Sequence, residues 1–156
     1  MGALFFAYAM FAAVDWLFSK VPVRFPNIRL CLSEGGIGWV AGLIDRFEHM
    51  NKYSAMYGTW DGIELSPAEV FKRNFWFCAI DDPSSFLQTD VIGAENIMLE
   101  SDYPHADCTW PNTQSKLHAQ ISGLPKAQQE RVAWRNAAEL FGIDVPAAVQ
   151  ADPNAF

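Results

Sequence analysis

Apolar and polar residues fall along this chain in two alternating rhythms. Short runs that are apolar on both faces, at 28–33 (IRLCLS), 74–80 (NFWFCAI) and 96–101 (NIMLES), predict strands buried in a parallel sheet. Between them the apolar residues return at helical spacing, as in Ile37, Val40, Ala41, Ile44 and Phe47. Ser66-Pro67-Ala68-Glu69 has the residue types of a helix start: a hydroxyl cap, proline at the first position and glutamate three after the cap. A short helix over 83–91 is expected to stop at Gly93. Two more are expected over 110–121 and 125–141, with Gly142 closing the last one. Residues 3–14 (ALFFAYAMFAAV) predict an opening helix that is apolar almost all round and therefore needs cover on more than one side.

Strands separated by helices imply right-handed βαβ units and a parallel sheet, an α/β fold. The reading places one domain over 1–145 and a fraying tail, rich in Ala and Pro, over 146–156. A composition that is 51% hydrophobic and 14% aromatic excludes a disordered chain. The formal charge of −7 excludes nucleic acid as a partner, because no basic stripe is available to meet phosphates. Cys31, Cys78 and Cys108 form neither a CxxC pair nor a Cys/His cluster, which fits a reducing, cytoplasmic setting. Cys31 and Cys78 lie in apolar runs and are expected to be small buried hydrophobes. The opening run is shorter than the roughly 20 apolar residues that cross a bilayer, and it lacks a basic leader. No membrane partner is expected.

Each strand is followed by a carboxylate: Glu34 after the first, Asp81 and Asp82 after the second, Asp102 after the third. In parallel α/β folds functional groups gather at the carboxyl ends of strands. Converging carboxylates with one histidine, His105, suit a divalent metal or acid–base work. Asp81 and Asp82, directly before Pro83, are expected to cap the following helix instead. Asp102 is spared that role because Pro104 delays the next helix. Gly35, Gly36 and Gly38 read as a tight strand-to-helix turn rather than a phosphate cradle.

The stretches RFPNIRLCLSEGGIGWVAGLIDR (24–46), RNFWFCAIDDP (73–83), ENIMLESDYPHADCTWP (95–111) and RNAAELFGI (135–143) resemble the amidohydrolase-related family. That family includes the aminocarboxymuconate-semialdehyde decarboxylase group and many bacterial metal-dependent hydrolases. The resemblance implies the last three βα units of a (β/α)₈ barrel, a partial TIM barrel, since closing one takes about 250 residues. It implies a metal-dependent hydrolase acting on a small molecule, with decarboxylation as the alternative. A divalent metal, zinc first, would be held by an HxH pair after the first strand, a His after the fifth and an Asp after the eighth. Asp102 in SDYP matches that last ligand, and its carboxylate would also accept a proton. Glu34 stands where decarboxylase members carry a His after the sixth strand; it is expected to orient substrate or assist proton transfer. His105 is expected to contact substrate or the Asp102 carboxylate. Met1 falls just after the expected fifth-strand His, so the chain reads as a C-terminal portion, inactive alone. A non-catalytic module that pairs with another chain is the competing reading, with oligomerisation through open strand edges and the apolar first helix.

Overall fold

The computed structural model describes residues 2–53 and 57–150. It opens with helix α1 (Phe5–Phe18) and a short turn of helix, α2 (Val21–Arg24), followed by strand β1 (Leu30–Leu32) and helix α3 (Val40–Lys52). Helix α4 (Pro67–Asn74) leads straight into strand β2 (Phe75–Ala79). A 3₁₀ turn and the short helix α5 (Thr89–Ile92) follow, then strand β3 (Ile97–Leu99) and helix α6 (Thr113–Ile121). The last helical stretch is α7 (Lys126–Glu130), a π-helical turn (Arg131–Arg135) and α8 (Asn136–Phe141), with α9 (Ala147–Gln150) beyond it. The three strands form one parallel sheet in the order β1-β2-β3. The βα alternation is therefore realised as a three-stranded parallel sheet, as the last three units of a (β/α)₈ barrel require. Each strand is shorter than its apolar run, because the flanking residues belong to the adjoining helical turns and loops. The 83–91 segment divides into a 3₁₀ turn and α5. The single helix expected over 125–141 contains the wider π turn.

Pleating divides the sheet into two faces. Phe75, Phe77 and Ala79 of β2 are fully buried on one of them. Phe71 of α4 sits against Phe75, Phe77 and Phe47 of α3 at ring separations of 4.8, 5.1 and 5.4 Å. Truncating so enclosed a ring costs about 3–5 kcal/mol. Helix α4 forms where the sequence places it because Ser66 Oγ accepts the Glu69 amide at 3.2 Å while Glu69 Oε2 accepts the Ser66 amide at 2.7 Å. Helix α3 buries Val40, Ala41, Ile44 and Phe47 along one stripe. The opposite sheet face carries Cys31, Trp76, Cys78 and Met98. Here one expectation fails: Cys78 is buried but Cys31 is exposed, because it lies on an edge strand while Cys78 lies on the central one. The two sulfurs are 3.6 Å apart. The contact between the two sulfurs lowers the pKa of Cys31 and, with burial, raises that of Cys78.

Three buried asparagines repeat one device under the strands. Asn74 donates to the Pro26 and Ile28 carbonyls at 3.0 and 2.7 Å. Asn96 donates to Lys72 and Phe75 at 2.6 and 2.8 Å, and Asn136 to Ala94 and Ile97, both at 2.7 Å. Each amide ties the chain to the unit before it at the amino end of the sheet. Helix α1 buries Ala13 and Leu17 but leaves Phe5, Tyr8 and Phe11 about half or more exposed. Among the described residues no helix is long and apolar enough to cross a membrane.

Candidate functional site

The carboxyl ends of the strands form a rim, and the turns that leave them decide where the side chains go. After β1 the chain bends sharply at Glu34, whose φ of +56° is left-handed. Gly35 and Gly36 make that bend possible. A Cβ on Gly35 would lie 2.6 Å from Ala9 of α1, and one on Gly36, itself at φ +62°, would lie 3.0 Å from Asp82. The glycine cluster is thus a tight turn packed against its neighbours.

Asp102 also holds left-handed backbone, at φ +57°. Its carbonyl accepts the His105 amide at 2.9 Å, which closes a turn and brings the imidazole round onto the carboxylate. His105 Nδ1 meets Asp102 Oδ1 at 2.7 Å; the carboxylate side chain is 9% exposed and the imidazole 65%. The hydrogen bond with Asp102 and then its charge raise the pKa of His105. The Thr109 amide bonds back to the Ser101 carbonyl at 2.9 Å, so the whole loop folds over the end of β3.

Glu34, Asp102 and His105 come together: each offers a ligand atom, and these atoms all lie within 4.8 Å of one another. Asp81 and Asp82 do not join them, nor do they cap the next turn. Asp81 pairs with Lys116 of α6 at the surface. Asp82 turns its carboxylate back to the Ile80 amide (3.2 Å) and the Ile37 amide, and burial pushes its pKa up. That bracing uses Asp82 to join β2 to the start of α3. A cavity of about 270 Å³ opens beside the rim, with Phe5 and Phe6 of α1 along it and Glu34, Asp81, Asp102 and Asp107 among its other lining. So many carboxylates around one opening make it electronegative, a field that draws cations. A larger cleft of about 470 Å³ lies at the amino ends of the strands, where Arg29 reaches the Glu139 and Leu140 carbonyls. It holds none of the candidate groups.

Sequence reasoning missed Glu100. Its carboxylate accepts the Ser33 hydroxyl at 2.6 Å and the Glu34 amide. The available signal was the two-residue alternation that sets Glu100 on the same sheet face as Met98 and Cys78. Trp60, by contrast, is core: its indole NH bonds the Leu65 carbonyl at 2.8 Å. Trp110 is exposed against Tyr103. His49 and His118 lie on α3 and α6, outside the rim cluster.

A parallel partial barrel with its acidic groups at the carboxyl rim is the architecture of barrel enzymes. Residues 1–143 match the sequence model of the Amidohydrolase family, and the chain belongs to that family. Its fold is similar to that of the 5-carboxyvanillate decarboxylase LigW from Sphingomonas paucimobilis, with a TM-score of 0.69 and 25% identity, covering 85% of this chain and 39% of that one. It is also similar to an amidohydrolase from Mycobacterium avium subsp. paratuberculosis, with a TM-score of 0.69 and 21% identity, covering 87% of this chain and 33% of that one. The chain therefore spans well under half the length of either protein. No functionally curated protein matches it in sequence. Members of the family are generally metal-dependent and act on small molecules, and this chain contributes a group of side chains with the donor types for a metal.

Proposed function

We propose that the rim of Glu34, Asp102 and His105 is part of the metal centre of a hydrolase acting on a small molecule. The observation that supports this is the convergence of their three ligand atoms within 4.8 Å. Oxygen and imidazole donors suit zinc or a related divalent cation. Asp102 is the principal donor, because its carboxylate is the most enclosed of the group. Glu34 offers the second oxygen from the turn after β1. His105 Nδ1 engages Asp102 Oδ1 and so fixes which way the carboxylate points, leaving Oδ2 and the imidazole Nε2 outside that bond. When bound, the cation would supply Lewis acidity to a substrate carbonyl.

The chain's own residues do the rest. Asp102 accepts a proton as the nucleophile forms, and His105 shares that proton through the 2.7 Å contact. The Glu34 oxygen not turned to the cation orients the substrate's polar end. Phe5 and Phe6 limit water on the side of α1.

Decarboxylation is the second reading, favoured by the likeness to LigW. Both readings share the site and differ in the bond broken. The test is metal content and turnover in a full-length barrel carrying this chain. Asp102→Asn is expected to lose metal and turnover together, and Glu34→Gln to retain part of the metal with reduced turnover. Release of carbon dioxide from an aryl carboxylate would assign the reaction to decarboxylation; hydrolysis of an amide or lactone would assign it to the hydrolase. Full metal occupancy and near-normal turnover in Asp102→Asn contradict the site assignment.

A further inference from the structure

We infer that Glu100 is a positioning residue that holds Glu34 at the rim, an inference that rests on Glu34 being the second donor there. Glu100 follows β3 directly, and its amide donates to the Ala79 carbonyl at the end of β2 at 3.0 Å. From that anchor its carboxylate reaches past β2 to the turn after β1. One oxygen takes the Ser33 hydroxyl at 2.6 Å and the other takes the Glu34 amide. A single residue, through its backbone amide and its carboxylate, therefore ties the ends of all three strands together.

The position of this clamp matters because of the backbone it grips. Glu34 sits at φ +56°, where a residue with a Cβ does not rest without support. Two bonds to one carboxylate, on consecutive residues, supply that support. The same strand end continues through Ser101 to Asp102, so Glu100 sets the span between the two carboxylates that face the cation. Both Glu100 oxygens are engaged by donors of the Ser33–Glu34 turn, and Glu100 does not belong to the group of Glu34, Asp102 and His105.

The test uses the full chain labelled with ¹⁵N and ¹³C, zinc chloride as the probe, and the variants Glu100→Ala, Glu100→Gln, Glu34→Gln and Glu34→Gln with Glu100→Ala. Without zinc, Glu100→Ala is expected to move the Glu34 amide proton upfield and its carbon shifts out of the left-handed range. Glu100→Gln, which keeps one acceptor, is expected to move them less. With zinc, Glu100→Ala should weaken binding about as much as Glu34→Gln does, on the order of tenfold. The double variant should add little beyond either single change, since one residue acts through the other. A Glu34 backbone unchanged in Glu100→Ala, or zinc losses that simply multiply, overturns the inference. If the unaltered chain takes up no zinc, the metal-centre reading fails, and the Glu34 backbone shifts alone decide the fate of the clamp.

Discussion

Glu34 and Asp102 end two different strands, yet they hold almost the same left-handed backbone, φ +56° and +57°. Neither is a glycine, so both positions carry steric strain that glycine would relieve, about 1 kcal/mol each. Glu34→Gly keeps the amide that Glu100 grips and removes only the side chain. It is expected to raise the denaturation midpoint while weakening zinc binding. A thermal melt alongside a zinc titration checks it, and a Glu34→Gly variant less stable than the parent would show the turn to be unstrained.

The asparagine ties at the amino ends of the strands are expected to dominate polar stability. Each amide is buried and satisfies two carbonyls, so removing it leaves two acceptors without a donor. Asn74→Ala, Asn96→Ala and Asn136→Ala should each cost about 1–3 kcal/mol in urea denaturation. Gln120→Ala, whose amide donates over longer distances of 3.2 and 3.3 Å, should cost less.

Acid stability should carry the signature of the α4 cap. The Ser66 backbone amide and then its hydroxyl hold the Glu69 carboxyl below its ordinary value near 4.5. A depressed carboxyl contributes stability above its unfolded value and loses it as pH falls through the folded one. The parent should therefore lose stability progressively as pH drops below about 4.5, and Ser66→Ala should show a shallower slope there. Asp82 works in the opposite sense. Burial raises its carboxyl, so its protonated form favours folding, and Asp82→Asn should flatten the small loss of stability as pH rises through that range.

Much of this architecture was legible in the chain. Apolar runs such as NFWFCAI have no polar face to give to water, so they mark β2 directly, and Ser66 with Glu69 announces α4 by the bonds it must make. The rim carboxylates were legible because a strand of known direction ends at each of them. The loop details were not. Whether Asp82 caps forward or braces backward depends on Ile37, far away in sequence, and Cys31 is exposed because its strand lies at an edge. Glu100 escaped notice because its role depends on register across two strand pairings. The asparagine ties have a faint signal, an asparagine after Arg73, Glu95 and Arg135 in turn, that gains meaning only once the strands are stacked.

The most direct measurement is a zinc titration of the labelled chain followed by amide resonances, with Asp102→Asn beside it. Saturable shifts centred on Glu34, Asp102 and His105 are expected, weak because three donors leave a cation short of a closed shell. In Asp102→Asn they should weaken at least about tenfold. Equal zinc affinity in the two proteins, or shifts centred away from the rim, would contradict a metal centre built on Asp102.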